Sequence, residues 1–118
     1  SQKLKLNGTL IVTTPQLLSL KDVIRGINMF IKVGVPILGV VENMSYLEEG
    51  EEKKYIFGES KTKSLLLKEN VNLLEELPFN LNIPKSCDEG KPYCFDYKDK
   101  YTSKFKNISD QIINKLKN

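Results

Sequence analysis

The sequence predicts an α/β layered fold in which a parallel β-sheet is flanked by helices. Three short apolar segments, of which the first two are rich in β-branched residues, alternate with segments of helical periodicity, and a longer helical segment ends the chain. A strand–helix–strand order with short connections is typical of βαβ units, whose crossovers are almost always right-handed. The chain has 118 residues, of which 40% are hydrophobic and 28% charged, and this composition suits one modest globular domain.

The first βαβ unit is predicted from two strand patterns. Thr9–Thr13 is apolar and β-branched, and Pro15 closes it because proline cannot donate to a strand ladder. Residues 36–42 form a nearly continuous apolar run, which is typical of a strand buried on both faces.

The helix of this unit is predicted near 20–33. Ser19 followed by Asp22 matches a capping signature at its start, and Gly34 stands where a left-handed residue ends a helix. The apolar residues between these signals recur with the spacing of one helix face: Leu20, Val23, Ile24, Ile27, Phe30 and Ile31.

Beyond residue 42 the chain alternates between loops and further elements. We expect a polar loop over 48–54, a helix over 60–69, a short strand over 73–77, a loop over 80–100 and a last helix near 102–117. Three parallel strands are few for such a sheet, and an apolar strand at its edge would be a template for aggregation. We therefore expect another part of a larger protein, or another chain, to cover Thr9–Thr13. The alternative is a small three-stranded domain that is covered on both faces.

Several functional classes are excluded by residues that the sequence lacks. There is no histidine, so no His-dependent nucleophile or His-ligated metal is expected. Gly-Lys followed by Ser or Thr does not occur, so this stretch has no phosphate-binding loop and we assign no catalytic residue to it. The net charge of +3 is spread over interspersed acids and lysines, so nucleic acid is not an expected partner. Neither a membrane-spanning segment nor a secretory signal is visible.

The two cysteines, Cys87 and Cys94, are too few for a disulfide scaffold or for a four-thiolate site within one chain. We interpret them as a buried small hydrophobe and an ordinary loop thiol, and we predict no metal ligands.

Polar residues follow the first two predicted strands. Gln16 comes just after the first strand and Asn43 just after the second, at the carboxyl ends where open α/β sheets bind ligands. The Asn43 side chain offers both an acceptor and a donor, which suits the edge of an adenine ring. The alternative is that Asn43 is an ordinary turn residue.

Short motifs follow one another in a distinctive order. They are Gly8-Thr-Leu-Ile-Val-Thr-Thr-Pro-Gln16, Asp22-Val-Ile-Arg-Gly-Ile-Asn-Met-Phe30, Val35-Pro36, Val41-Glu-Asn-Met-Ser45, Ile56-Phe-Gly58, Leu77-Pro78 and Asp88-Glu-Gly-Lys-Pro92. Together they resemble the C-terminal half of the Mrp/ApbC-type nucleotide-binding proteins. These are deviant-Walker-A P-loop ATPases that carry iron–sulfur clusters and are related to MinD and nitrogenase iron protein. The resemblance implies part of a P-loop NTPase-type fold, with the N-terminal half and its P-loop absent from residues 1–118.

The resemblance implies a nucleotide site at the strand ends. Asn43 would contact adenine, Pro78 and Phe79 would form the other wall of the base pocket, and Gln16 would face the nucleotide and a dimer interface. The family usually has Asp two residues after this proline, whereas this chain has Asn80. The implied ligand is ATP, with Mg²⁺ in the full-length protein, which is expected to be an ATPase although this stretch alone is not catalytic.

The resemblance also implies a cargo and partners: a 4Fe-4S cluster, a homodimer and apo iron–sulfur client proteins. It implies an intracellular location, in the cytosol or in a mitochondrion- or plastid-like organelle if a targeting segment lies in the N-terminal part. Typical members place Cys-x-x-Cys shortly after the Glu-Asn-Met-Ser motif, where two chains together supply four thiolates. Residues 46–54 contain no cysteine, so the cluster ligands are not identified. Tyr46 and Tyr55-Ile-Phe-Gly58 look more like the plastid high-chlorophyll-fluorescence-type branch, which also lacks that pair.

Two other functions stay open at this point. The last helix carries lysines beside its apolar stripe, as a MinD-like membrane-associated positioning ATPase would, although we favour packing on the sheet and expect no membrane partner. The other alternative is a non-enzymatic α/β interaction module.

Overall fold

The computed structural model describes residues 6–58 and 61–117, and it confirms an α/β fold with a parallel sheet. Its elements, in chain order, are β1 (Thr9–Thr13), α1 (Leu17–Lys32), β2 (Ile37–Glu42), β3 (Leu47–Glu49), β4 (Glu52–Lys54), α2 (Thr62–Lys68), β5 (Leu73–Glu76), α3 (Asn82–Glu89), α4 (Tyr93–Asp96) and α5 (Lys100–Lys117). The parallel sheet has the strand order β1-β2-β5, and β3 and β4 form a separate antiparallel hairpin.

The central strand β2 is buried on both faces, as its continuous apolar run predicts. Val40 and Val41 are adjacent in the chain and therefore point to opposite sides of the sheet. Val40 packs with residues of α1 and α2 in one core cluster (Val23, Ile27 and Leu66). Val41 packs on the opposite side in a cluster that includes α5 (Leu74, Leu77, Tyr93, Tyr101 and Ile108).

The predicted end of α1 is confirmed in detail. Gly34 has a φ of 72°, and its amide donates to the Ile31 carbonyl at 3.2 Å. The Val35 amide donates to the Phe30 carbonyl at 2.9 Å, which completes a Schellman motif. Because glycine adopts a positive φ without steric cost, the position of Gly34 sets the end of the helix.

The predicted start of α1 is wrong. The helix begins at Leu17 rather than near residue 20, and no side chain caps its first turn. The Ser19 hydroxyl instead shares a 2.8 Å hydrogen bond with the Thr14 hydroxyl. The chain therefore turns directly from Pro15 into the helix, and the capping signature at Ser19 and Asp22 lies inside it.

The polar loop expected over 48–54 is a β-hairpin. Its two-residue turn begins at Gly50, whose φ of 61° is the conformation that hairpin turns require of glycine. Glu48 pairs with Lys53 across the strands, and Lys54 forms a 2.7 Å ion pair with Glu49. Five of its six strand residues are charged and exposed, so the hairpin has no apolar alternation and its sequence lacks the usual strand signal.

The loop expected over 80–100 is also wrong, because this segment contains α3 and α4. Pro84 lies in the first turn of α3, where the missing amide hydrogen is not needed by the helix. Gly90 ends α3 with a φ of 69°, and Pro92 directly precedes α4. The prolines and the glycine therefore bound short helices.

These helices carry the two cysteines, and neither matches its expected setting. Cys87 lies in α3 and is exposed, whereas Cys94 lies in α4 and is half-buried.

The remaining elements follow the prediction closely. Helix α2 spans Thr62–Lys68 against the expected 60–69, of which Ser60 lies outside the described residues. Strand β5 and helix α5 lie within two residues of their predicted bounds. Among residues 6–58 and 61–117, no helix has the length and apolarity needed to cross a bilayer.

The outer edge of β1 has no partner strand within the described part of the chain. Val12, on this strand, is 63% exposed although it is a β-branched apolar residue in a sheet. An uncovered apolar edge strand is a site for pairing with further polypeptide.

Candidate functional site

The carboxyl ends of the three parallel strands meet at one edge of the sheet, and the loops that follow β2 and β5 are tied together there. The Leu77 amide donates to the Glu42 carbonyl at 2.7 Å, and the Ser45 amide donates to the Leu77 carbonyl at 2.9 Å. The Phe79 amide then donates to the Tyr46 carbonyl at 2.9 Å. Strand pairing therefore continues past the strand ends and holds the two loops side by side.

Asn43 is half-buried at this edge and acts as a turn residue. Its amide donates to the Thr13 carbonyl at 2.7 Å, and its side-chain oxygen accepts the Met44 amide at 2.9 Å. This local bond accompanies a φ of 55° at Met44. The residue also lines a cavity of about 310 Å³ together with Thr13, Thr14 and Ser19. Asn43 is therefore the turn residue of the alternative interpretation, and it also lines an open cavity.

Pro78 and Phe79 line a second cavity. Pro78 is buried and Phe79 is half-buried, with its ring centroid 6.4 Å from that of Phe57. The cavity has a volume of about 400 Å³ and lies between this loop, the hairpin and the first turn of α5. Asn80, Asp99 and several other polar side chains complete its wall.

Gln16 lies at a third position on the same end of the sheet. It is exposed, it precedes the first turn of α1, and its side chain makes no capping hydrogen bond. It lines a cavity of about 340 Å³ with Leu17 and Phe57. The four predicted contact residues thus share one end of the sheet, but only Pro78 and Phe79 share a cavity.

Glu42 and Ser45 are buried polar residues that the sequence analysis did not single out. Glu42 is fully buried at the end of β2, and the Ser45 hydroxyl donates to its carboxylate at 2.7 Å. Glu76 lies opposite Glu42 in the strand register, and burial together with the charge of Glu42 raises the pKa of Glu76. The signal that could have found Glu42 is an acid at the end of an otherwise apolar strand, because such an acid must be satisfied by nearby donors.

A cluster around Tyr46 joins the hairpin to α5. The Tyr46 ring is buried beneath the Lys53 ammonium, which lies 4.7 Å from its centroid. Lys104 of α5 donates to the Glu75 carboxylate at 3.0 Å, and its ammonium lies 6.0 Å from the same ring. Burial by itself lowers the pKa of Lys104, but the hydrogen bond to Glu75 and the nearby Tyr46 hydroxyl raise it overall.

The residues 6–58 and 61–117 hold no group of three or more His, Cys, Asp and Glu side chains arranged to bind a metal ion. The geometry at the strand ends is instead that of a ligand edge in an α/β protein, with turn amides, an aromatic ring and a buried carboxylate. The fold and this edge define the class as an α/β protein with a candidate ligand site at the carboxyl ends of its parallel strands.

Comparison with known proteins identifies the family. The model of the ParA family described as NUBPL iron-transfer P-loop NTPase matches residues 1–115, and the chain belongs to this family. The chain is 44% identical to the iron–sulfur cluster transfer protein NUBPL of Dictyostelium discoideum, over 98% of this chain and 36% of that protein. It is 40% identical to the iron–sulfur cluster carrier protein of Pyrococcus horikoshii, over 98% of this chain and 40% of that one. These relatives do not favour a MinD-like protein or an interaction module.

A solved structure supports the same assignment. The nucleotide-binding protein from Archaeoglobus fulgidus, in complex with ADP, superposes with a TM-score of 0.62 and 37% sequence identity. The match covers 72% of this chain and 36% of that one. The chain therefore spans well under half the length of the proteins that it matches.

Proposed function

We propose that these residues are the C-terminal, base-binding part of the P-loop nucleotide-binding domain of an ATP-binding iron–sulfur cluster carrier. The observation that carries this proposal is the backbone bonding of Leu77 to Glu42 and Ser45, which holds the loops after β2 and β5 together at the ligand edge of the sheet. The family membership and the relatives' names supply the cargo.

In this proposal the two loops hold the adenine ring. The Asn43 side chain bonds the edge of the base: its nitrogen donates to a ring acceptor, and its oxygen, which already accepts the Met44 amide, uses its second lone pair to accept from the exocyclic amine. Pro78 and Phe79 line the same cavity, where they would contact the face of the ring. Both side chains are already held by packing, so ordering them costs little further entropy. Gln16, which follows the end of β1, faces the nucleotide from the other side of the sheet end.

The phosphate chemistry would come from sequence outside this stretch. A Gly-rich loop and Mg²⁺ are needed to stabilise charge on the transferring phosphoryl group, and residues 1–118 contain no Gly-Lys-Ser/Thr motif. We propose that the N-terminal half of the domain supplies the P-loop and pairs beside β1. The unpaired outer edge of β1 and the exposed Val12 support this arrangement. The full-length protein would then be an ATPase.

We also propose a homodimer that forms beside Gln16. Two of the side chains that line the Gln16 cavity, Leu17 and Phe57, are apolar and exposed, and Leu18, which follows Leu17 in the chain, is also exposed. Exposed apolar residues gathered in one area are typical of protein–protein contact sites.

The proposed cargo is a 4Fe-4S cluster that is delivered to apo iron–sulfur client proteins inside the cell, in the cytosol or in an organelle. The proposal assigns no cluster ligands to this stretch. Residues 46–54, which follow the Glu-Asn-Met-Ser motif, form the charged hairpin and contain no thiol.

The test uses the full-length protein and measures its affinity for ATP by calorimetry. Phe79→Ala is expected to weaken binding about tenfold, because stacking of a base on an aromatic ring contributes roughly 1–3 kcal/mol. Phe95→Ala is the matched control, since this ring is 77% exposed and lines none of the three cavities.

The same preparation is reconstituted with iron and sulfide and incubated with an apo iron–sulfur enzyme, whose recovered activity reports cluster transfer. A full-length protein with an intact P-loop that binds neither ATP nor a cluster would refute the proposal.

A further inference from the structure

A chain of hydrogen bonds connects the Pro78–Phe79 loop to the start of α5. The Asn80 side-chain nitrogen donates to the Tyr93 hydroxyl at 3.1 Å. That hydroxyl donates to the Asp99 carboxylate at 2.6 Å. Both Asn80 and Asp99 line the cavity of about 400 Å³ that Pro78 and Phe79 share. The connection therefore runs along the wall of the proposed base pocket.

Each end of this chain is anchored. The Asn80 side-chain oxygen accepts a hydrogen bond from the backbone amide of Asn82, the first residue of α3, at 2.9 Å. With its oxygen bonded in this way, Asn80 directs its side-chain nitrogen toward Tyr93. The other carboxylate oxygen of Asp99 accepts the Thr102 amide at 3.1 Å, so Asp99 caps the N-terminus of α5.

The Tyr93 hydroxyl between these two ends is held by ring packing. Its ring stacks on Tyr97 with centroids 4.4 Å apart and meets the edge of Tyr101 at 5.3 Å.

The chemistry of the three side chains fixes which group donates in each hydrogen bond. A phenol has one hydrogen, and Tyr93 donates it to Asp99, so the Tyr93 oxygen needs a donor on its other side. The hydrogen bond from Tyr93 holds the pKa of Asp99 below its ordinary value despite the opposing effect of burial. Burial, followed by the hydrogen bond to Asp99, raises the pKa of Tyr93, which keeps the proton on the phenol. An amide at position 80 satisfies this arrangement, whereas a carboxylate there would face a phenol oxygen without a proton.

We infer that Asn80 and Asp99 are positioning residues that, through the Tyr93 hydroxyl, hold the Pro78–Phe79 segment in its base-binding position. This inference rests on the proposed function. It predicts that the identities of residues 80 and 99 are interdependent: one must be an amide and the other a carboxylate. Exchanging the two reverses the direction of donation and keeps every bond, since asparagine is also an effective N-cap.

The experiment measures the affinity for ADP, and the KM and kcat for ATP hydrolysis, of the full-length protein and its variants. Asn80→Asp is expected to weaken ADP binding and raise KM about tenfold with little change in kcat, because the base wall is displaced while the phosphate site is not. The double variant Asn80→Asp/Asp99→Asn is expected to return to within about threefold of the wild type. Asn28→Asp, the same change at an exposed position in α1, is the control for added negative charge.

Tyr93→Phe covers the case in which Asn80→Asp does not fold. It keeps the ring and its stacking and removes one oxygen, so it is expected to raise KM by several-fold in a folded protein. Wild-type protein that fails to bind ADP overturns the proposed function together with this inference. If the wild-type protein binds ADP but the exchange variant binds it no better than Asn80→Asp alone, the inference alone is overturned. Unchanged affinity in both Asn80→Asp and Tyr93→Phe also overturns the inference alone.

Discussion

Replacing Lys104 with methionine tests the ion pair between Lys104 of α5 and Glu75 of β5, one of the polar contacts that join this helix to the sheet. The Lys104 ammonium donates to Glu75 at 3.0 Å, and the two side chains are 24% and 17% exposed. Methionine keeps the apolar stem and removes the charge, so it deletes a charge-assisted hydrogen bond worth about 1.5–3 kcal/mol. Asn107 still donates to the other Glu75 oxygen at 2.9 Å, and partial exposure weakens the attraction. We expect a loss of about 1–2 kcal/mol in the free energy of unfolding.

The assay is denaturant unfolding of the full-length protein, with a double-mutant cycle that combines Lys104→Met and Glu75→Gln. The cycle isolates the pair from other effects of each substitution, and we expect a coupling energy of about 1 kcal/mol. Lys106→Met is the matched control, because Lys106 is exposed on the same helix, and it should change stability by less than about 0.5 kcal/mol. A coupling energy below about 0.3 kcal/mol would refute the role given to this pair.

The pair also predicts a pH dependence with a defined sign. Burial by itself raises the pKa of Glu75, but hydrogen bonds from Asn107 and Lys104 lower it below the ordinary 4.5. Glu75 therefore contributes stability above pH 4.5, and this contribution is lost as the pH falls through its folded pKa. The folded pKa of Lys104 is above the ordinary 10.5, so its contribution is complete below pH 10.5 and is lost as the pH rises through the folded value. The stability difference between wild type and Lys104→Met should thus be constant near neutral pH and shrink in acid. A difference that persists once Glu75 is protonated would contradict this explanation.

Two further pairs of substitutions test the packing that positions the strand ends, all measured by the midpoint of denaturant unfolding. Ile27→Ala should cost about 2–5 kcal/mol because Ile27 is fully buried between α1 and the sheet, whereas Ile31→Ala, one turn later and 61% exposed, should cost less than about 0.5 kcal/mol. Equal losses at the two positions would contradict the assigned helix face. Gly39→Ala should destabilise by about 1–3 kcal/mol because its new Cβ would lie 2.5–2.8 Å from three side-chain carbons of Leu74. Gly26 lies inside α1, and a Cβ added there meets no atom within 4 Å, so Gly26→Ala should stabilise the protein by about 0.5–1 kcal/mol. A loss of stability would contradict the helical position given to Gly26.

The sequence predicts that the candidate contact residues lie at one end of the sheet, but it does not predict how they are divided among separate cavities. Asn43 and Gln16 follow strands, and the rule that ligands bind at the carboxyl ends of parallel strands places both at one edge of the sheet. Whether they share a cavity with Pro78 and Phe79 depends on how loops from distant parts of the chain fold over that edge. The structure gives these residues three cavities, which no local pattern indicates.

The charged hairpin and the two short helices had no recognisable local signal. In the hairpin, Lys53 is held over the buried ring of Tyr46, so its position depends on packing against the end of the sheet. In α3 and α4, the hydroxyl of Tyr93 is held by Asn80 and Asp99, which lie 13 residues before it and 6 residues after it. Prolines and glycines in this stretch suggested a loop because their role as helix boundaries appears only when the helices form.

The sequence by itself determined the two strands of the first βαβ unit, the end of its helix at Gly34, and the order of motifs that identifies the family. Strand composition, helical periodicity and a glycine cap act between residues a few positions apart, so they can be recognised in the chain. Only the tertiary structure decided that Lys104 would meet Glu75, 29 residues away, and that Asn80 would be joined to Asp99 through Tyr93. Such bonds depend on donors and acceptors brought together by burial, and burial of distant segments against one another has no local signature in the sequence.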